Sequence, residues 1–283
     1  MEERVIMDKN IMTRLHAEMQ TIYLEIARIC EQNNLYYFVV GGTLIGAVVH
    51  KNFIPWDDDL DIAMPRDDYE KFITICRTQL GDQFFLHHHT TDPEYWLSFA
   101  KLRKNNTVFW EEKRGKADGH AGIYVDIFPF DYTSICNSLY HKIKWRLFTY
   151  LNNYIFARKT GKKIDNKRSA VLTNFFKMFS TLQLSIFRDK IMKSFDHGKR
   201  KYFVDLAGGR RLSNSYFKIE DILPVVELPF GSIKVKCPNN WNSYLVQLYT
   251  ERYKIIPPPE QQVTHDPVYI RFSDGLQVKN ENL

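Results

Sequence analysis

Four carboxylates fall within five consecutive positions of this 283-residue chain, at Asp57, Asp58, Asp59 and Asp61. Like charges this close repel one another, so a folded protein keeps them together only if something offsets the repulsion. A divalent cation is the usual partner, because hard cations take carboxylate oxygens as ligands. The cluster therefore predicts a metal-dependent site, with Mg²⁺ or Mn²⁺ as the expected ion, and its chemistry would be phosphoryl transfer.

The apolar residues that alternate with these carboxylates predict a strand that begins at Asp59. Residues i and i+2 of a strand share a face, so Asp59 and Asp61 would project together, about 7 Å apart along the chain. Asp57 would join them if the strand extends further back, whereas Asp58 would point to the other side. We expect Asp59 and Asp61 to be catalytic metal ligands and Asp57 a further ligand.

A second acidic position completes the predicted site. Asp126 stands inside an apolar run, YVDIFPFD, that is typical of a buried strand. A lone acid on such a strand is costly unless it is paired or bound to a metal, which makes Asp126 the candidate third carboxylate. Lys101 and Arg103, at i and i+2 of another strand pattern, could steady negative charge nearby, or could equally pair with surface acids.

A glycine pair precedes the acidic stretch. Gly41 and Gly42 follow a short apolar run, and glycine lets the backbone approach a phosphate closely while N–H groups at a helix start attract anions. Thr43 is predicted to cap a short helix that ends near His50. A glycine pair alone usually marks a simple turn, so its assignment to phosphate binding depends on the neighbouring carboxylates.

Composition restricts the class of protein. With 44% hydrophobic and 14% aromatic residues the chain is globular rather than disordered. The four cysteines are far apart, which argues against a zinc site or a disulfide framework. Neither a secretory signal nor a transmembrane stretch is predicted, so a cytoplasmic location is expected.

The net charge of +6 is unevenly distributed. Residues 137–200 hold fifteen Lys or Arg and three Asp, an excess of 12 positive charges, so the remainder is acidic. Peripheral contact with an anionic membrane is one explanation of this basic, aromatic segment, and a solvated helical layer is the other. A nucleic-acid partner is not expected, because the predicted site itself is acidic.

The order of patterns predicts the fold class. Residues 10–32 have helical spacing, and strand patterns around residues 36–40, 84–89, 96–104 and 107–111 intermix with helical ones. The expected fold is α/β (α+β), with a nucleotidyltransferase-like mixed sheet flanked by helices. We expect a catalytic core over residues 1–135, a helical insertion over 136–200, and a C-terminal part over 201–283 that packs back on the core.

The stretch GGTLIGAVVHKNFIPWDDDLDIAMPRDDYEKF, followed by YVDIFPFD, resembles the LicD family of phosphotransferases, which is distantly similar to fukutin-related proteins. The resemblance implies transfer of a phospho-alcohol, typically phosphocholine, from a CDP-linked donor to a sugar hydroxyl of a lipid-linked or other cell-surface glycan, with release of CMP. It also implies that Asp126 acts as third carboxylate or base. Near the C-terminus, YTERY stands where the family usually has a Tyr-Gly-Asp-Tyr stretch.

Two other functions remain open at this point. A true nucleotidyltransferase would transfer a nucleoside monophosphate to a small molecule and release pyrophosphate, and an inactive scaffold would use the basic helices at a membrane.

Some individual residues also have two interpretations. His265 either lines the site or does not, Trp56 and Trp110 either stack on ligand or pack, and the run His87-His88-His89 is expected to end a strand in water.

Overall fold

The computed structural model describes residues 7–111, 119–161, 170–196 and 198–279. Helix α1 begins after Asp8, whose carboxylate accepts a hydrogen bond from the Ile11 N–H at 2.8 Å. Its apolar stripe is buried against the sheet, which confirms the helix predicted over residues 10–32. The helices are α1 (Lys9–Gln32), α2 (Gly41–Ile45), α3 (Arg66–Gln79), α4 (Leu139–Thr160), α5 (Ala170–Phe176), α6 (Thr181–Lys193), α7 (Ile219–Ile222) and α8 (Trp241–Tyr249).

The strands form a mixed sheet and two smaller sheets. They are β1 (Phe38–Val39), β2 (Asp61–Pro65), β3 (Phe84–His87), β4 (Ala100–Lys104), β5 (Val108–Glu111), β6 (Tyr124–Thr133), β7 (Tyr202–Val204), β8 (Tyr216–Lys218), β9 (Val226–Phe230), β10 (Ile233–Cys237), β11 (Pro267–Arg271) and β12 (Gln277–Lys279). The main sheet has the order β1-β2-β6-β4-β3, and β7 pairs with the second half of β6 and then with β8. This is the mixed α/β architecture that the sequence predicts.

Strand β6 is the centre of the main sheet. It is parallel to β2 and antiparallel to β4, so Asp126 stands beside Asp61 on one side and Lys101 on the other. Helices α1 and α3 pack on this sheet and bury its apolar side chains. The sheet therefore brings together three charged residues that are far apart in sequence.

Helices α4, α5 and α6 form a separate layer with its own apolar core. Two arginines join this layer to the rest of the protein. Arg188 of α6 is buried and donates to the carbonyl oxygens of Trp96, at 2.6 Å, and Leu97, at 2.5 Å. Arg66 at the start of α3 forms a bidentate pair with Asp131 of β6 and also contacts Asp189 of α6, at 3.0 Å.

The segment around the glycine pair differs from its prediction. Helix α2 already begins at Gly41, after Val40, and continues as one π-helical turn over Gly46–His50. Thr43 is therefore inside the helix and is not its cap, and its hydroxyl accepts a hydrogen bond from the Asp61 N–H at 2.9 Å. The prediction of Thr43 as a cap was wrong because the helix uses the left-handed φ of +58° that glycine at position 41 allows.

The C-terminal residues return to the first part of the chain. Strand β11 pairs with β5 as well as with β12, and β9 and β10 form a hairpin. The predicted division into three parts remains a prediction. Within the described ranges, no helix combines the length and the apolar character needed to cross a membrane.

Candidate active site

Two carboxylates of the site lie side by side on neighbouring strands of the main sheet. Asp61 and Asp126 are register partners on parallel β2 and β6. The Nζ of Lys101, which is fully buried, lies 2.5 Å from Asp126 Oδ1 and 3.2 Å from the centre of the Tyr124 ring. In this arrangement the ammonium neutralises Asp126, so part of the charge predicted for a metal ion is already supplied by the chain.

Asp57 and Asp59 reach the site by a turn rather than by a strand. Strand β2 begins only at Asp61, so the strand predicted from residue 59 starts later, and the Asp57 N–H closes a turn by donating to the Ile54 carbonyl oxygen at 3.0 Å. The two carboxyl groups lie close enough to influence each other's pKa. Burial, and then the neighbouring charge of Asp59, raises the pKa of Asp57 well above its usual value.

The pKa of Asp61 is raised in the same way, first by burial and then by Asp59 and Asp126. Burial also raises the pKa of Asp59. The pKa values of Asp57, Asp59 and Asp61 are all raised, and Asp126 is among the charges that raise those of Asp59 and Asp61, so the four carboxylates belong to one electrostatic cluster.

The glycine pair faces this cluster. A methyl group placed at Gly41 would lie 3.1 Å from Asp61 Oδ2, and one at Gly42 would lie 2.6 Å from Asp57 Oδ2. The second distance is too short for carbon and oxygen, so position 42 must lack a side chain for Asp57 to keep its place. The glycines thus let carboxylates approach the start of helix α2, where phosphate binding is predicted.

His265 contacts the acidic stretch from the C-terminal part of the chain. Its backbone N–H donates to Oδ2 of the buried Asp58 at 2.8 Å, and its Nδ1 lies 2.8 Å from Oδ1 of the same carboxylate. Its Nε2 lies 3.6 Å from Asp59 Oδ2. Burial alone would lower the pKa of His265, but Asp58 and Asp59 outweigh it and raise the value to about 9. Asp58 therefore holds His265 at the edge of the site, where the same imidazole also lies near Asp59. The predicted outward orientation of Asp58 stays a prediction.

A tyrosine and an arginine form another side of the site. Tyr249, the last residue of α8, has its hydroxyl 3.9 Å from the same methyl position at Gly41. Arg210 donates to this hydroxyl at 3.0 Å, and its charge offsets the effect of burial and of Asp61 and Asp57 on the pKa of Tyr249. Arg210 is therefore connected to the acidic cluster through Tyr249. The sequence contains no motif that would have singled it out.

Arg103 of β4 contacts the first residue of the histidine run, which begins at the end of the neighbouring strand β3. The Arg103 guanidinium is buried and donates to His87 Nδ1 at 2.9 Å and to the Gly122 carbonyl oxygen at 2.8 Å. Its assignment to phosphate binding stays a prediction. The expected exposure of the histidine run was wrong for His87 and His88, which are buried because residues 88–96 fold back over this end of the sheet.

The donor set of the cluster suits a hard divalent cation, because Asp57, Asp59, Asp61 and Asp126 offer only carboxylate oxygens. Across the residues that the structure describes, no group of three or more His, Cys, Asp or Glu side chains stands in a ready-made coordination arrangement. Asp126 is turned to Lys101, and Asp57 to Asp59. The residues fit a metal ion by their chemistry, and binding would require these side chains to turn from their present partners.

Comparison with known proteins identifies the family. Residues 34–162 match the family described as LicD/FKTN/FKRP, nucleotidyltransferase domain. The chain is also 28% identical over 267 residues, 88% of its length and 94% of the relative's, to the lipopolysaccharide cholinephosphotransferase LicD of Haemophilus influenzae. Residues 34–162 therefore form a LicD-family domain, and the similarity to the Haemophilus protein extends over most of the chain. These matches confirm the predicted family and the predicted class of enzyme, a transferase of phosphorus-containing groups.

Two further relatives match shorter parts of the chain. An uncharacterized protein of Rickettsia prowazekii is 35% identical over 75 residues, which is 20% of this chain and 28% of that protein. An uncharacterized protein of Rickettsia typhi is 51% identical over 44 residues, 16% of this chain and 14% of that protein. Neither carries a stated function, so the LicD assignment depends on the family match and the Haemophilus relative.

Proposed function

We propose that this protein transfers a phospho-alcohol, with phosphocholine as the first expectation, from a CDP-linked donor to a sugar hydroxyl of a cell-surface glycan. The observation that carries the proposal is the pairing of Asp61 with Asp126 across parallel strands, beside the start of helix α2 and its glycine pair. The Haemophilus relative supports a cholinephosphotransferase acting on lipopolysaccharide. The CDP-linked donor is what the resemblance to the LicD family implies, and the metal is inferred from the chemistry of the carboxylates.

In the proposed reaction the acceptor oxygen forms a bond to the phosphorus that carries the alcohol. The bridging P–O bond to the nucleotide breaks, CMP leaves with the bonding electron pair, and the hydroxyl proton passes to a carboxylate of the site. A bound Mg²⁺ or Mn²⁺ would neutralise phosphate charge and help align the two oxygens. Asp57, Asp59, Asp61 and Asp126 are the residues that would hold it.

The chain's own cations have distinct parts in this scheme. Lys101 holds Asp126 in place, and Arg210 with Tyr249 lies on the side of Gly41, where the donor phosphates are expected. His265 stands at the opposite edge, held by Asp58, and the half-exposed position of its ring leaves it accessible to an acceptor. Preorganised charges of this kind stabilise the transition state without reorganising during the reaction.

The test is to incubate the purified protein with a series of CDP-alcohols, a glycan with free sugar hydroxyls, and Mg²⁺, and to measure CMP and pyrophosphate. CMP release that depends on Mg²⁺, and that is lost in Asp61→Asn, is the expected result. Asp82→Asn is the matched control. Asp82 is exposed in the turn between α3 and β3, and its backbone carbonyl oxygen accepts a hydrogen bond from Asn105. Pyrophosphate release from a nucleoside triphosphate would favour nucleotidyl transfer instead, and a folded protein with neither product would favour the inactive scaffold.

We also propose that the helical insertion rests on an anionic membrane that holds a lipid-linked acceptor. Several large apolar side chains of this basic layer are exposed: Leu139, Ile143, Phe175 and Met178. Apolar anchors together with basic residues are the pattern that binds anionic lipid surfaces. Sedimentation with vesicles of anionic lipid, weakened in a Leu139→Ser/Ile143→Ser variant, is expected, and no sedimentation above that seen with neutral vesicles would contradict the proposal.

A further inference from the structure

A cavity of about 300 Å³ lies beside the acidic cluster. Aromatic residues contribute much of its wall, and we call it the aromatic pocket: His50, Trp56, Tyr249 and Tyr253, with Ile54 and Ile256. The His50 and Trp56 rings meet edge to face, with centroids 6.1 Å apart. Burial lowers the pKa of His50, so this ring contributes an aromatic surface rather than a positive charge near neutral pH.

The pocket is continuous with the proposed reaction centre. Trp56 is the residue before Asp57, whose carboxylate lies against Gly42. Tyr249 lines the pocket with its ring, and its hydroxyl reaches the side of Gly41 that faces Asp61. A group bound among these rings would therefore lie next to a phosphate bound at the glycine pair.

The two tyrosine hydroxyl groups of the pocket already have hydrogen-bond partners. The Tyr253 hydroxyl donates to Asn242 Oδ1 at 2.6 Å, and the Tyr249 hydroxyl accepts from Arg210. A sugar or a nucleobase would need hydrogen-bonding partners here. A quaternary ammonium has no N–H to satisfy and is held by aromatic faces and apolar contact. The nearby carboxylates add favourable charge.

We propose that the aromatic pocket binds the trimethylammonium group of a choline-bearing donor. This inference rests on the proposed function, in which the alcohol is attached to the very phosphorus that is transferred. Only an ethylene bridge separates the ester oxygen of phosphocholine from its nitrogen, so its head group must bind immediately beside the metal site. The aromatic pocket satisfies this requirement.

Arg252 is the one cationic side chain among the pocket's described lining residues, and it is exposed at the mouth. If the pocket binds a cation, Arg252→Gln should leave the KM for CDP-choline unchanged or lower it. If the pocket instead holds an anionic part of the glycan, the same substitution should raise the KM for the acceptor. The direction of this change therefore separates the two occupants.

The principal test compares CDP-choline with the neutral CDP-glycerol in Trp56→Leu and Trp56→Phe. Loss of the indole should lower kcat/KM for CDP-choline about 5- to 30-fold more than for CDP-glycerol, the range expected for a cation–π contact, and phenylalanine should restore part of it. Trp110→Leu is the matched control, because Trp110 lies on β5 beside Tyr269 and outside the pocket. Equal effects on both donors would overturn the pocket assignment while CMP release upholds the proposed function.

Binding measurements decide the matter even without turnover. Titration calorimetry should show that CDP-choline binds more tightly than CDP in the wild-type protein, and that this difference disappears in Trp56→Leu. If no donor releases CMP but the difference is present, the proposed function fails and the choline site stands. If CDP-choline and CDP bind equally to the wild-type protein, the choline site is refuted.

Discussion

Removing the charge of Asp126 should destabilise the protein as well as inactivate it. From the sequence alone, Asp126→Asn would be expected to cost little stability, because it relieves repulsion among the carboxylates. The structure adds the opposing effect, since Lys101 is fully buried and its Nζ lies 2.5 Å from Asp126. The substitution leaves that ammonium buried without its carboxylate.

The magnitude follows from these contacts. Breaking a buried ion pair by removing one partner costs about 3–5 kcal/mol. Relief of repulsion with Asp61 and the continuing contact of Lys101 with the Tyr124 ring offset a part of this, about 1 kcal/mol. We therefore expect Asp126→Asn to lower the free energy of unfolding by roughly 2–4 kcal/mol in the absence of divalent ions.

A double-mutant cycle tests this expectation. Urea unfolding, followed by circular dichroism at pH 7 with a chelator present, would be measured for wild type, Asp126→Asn, Lys101→Met and the double variant. The double variant should be more stable than either single variant, because neither buried charge then lacks its partner. A free energy of unfolding for Asp126→Asn within 1 kcal/mol of wild type, on the order of the measurement error, would refute the reasoning.

Three further predictions concern the glycine pair, the buried arginine and the buried histidine. Gly42→Ala should reduce CMP release at least about 10-fold with a stability change within about 1 kcal/mol, because the methyl displaces Asp57 while alanine suits a helix; normal turnover would contradict this. Arg66→Met should cost about 3–5 kcal/mol in urea unfolding, since it leaves the buried Asp131 uncompensated; the exposed Arg77→Met is its control. Burial lowers the pKa of His88 to about 2, whereas the unfolded chain takes up the proton near pH 6.5, so stability is lost as the pH falls below about 6.5. His88→Gln should remove up to about 1.4 kcal/mol per pH unit of that slope between pH 6 and 4, and an unchanged slope would be the contrary result.

Local patterns were sufficient for the outline of the site. The helix over residues 10–32, the strand nature of β2 and β6, and the grouping of Asp59, Asp61 and Asp126 follow from the periods of helix and strand and from the cost of a lone buried acid. The family follows from the glycine pair and the acidic stretch, which are contiguous in the sequence. Helix and strand periods and short motifs can be recognised in the sequence because the residues that form them are neighbours along the chain.

Tertiary structure alone decided what each charge does. Asp57 joins the cluster through a turn, Lys101 neutralises Asp126, and Arg210 donates to Tyr249, whose hydroxyl lies near Gly41. His265 is held by Asp58, a residue 207 positions earlier in the chain. No local period encodes contacts over such separations, because they depend on which strands pair and how the C-terminal part packs on the sheet. The sequence by itself determined the resemblance to the LicD family and predicted the carboxylate site. The fold determined which cations and aromatic rings surround this site, because tertiary packing decides which side chains lie next to each buried charge.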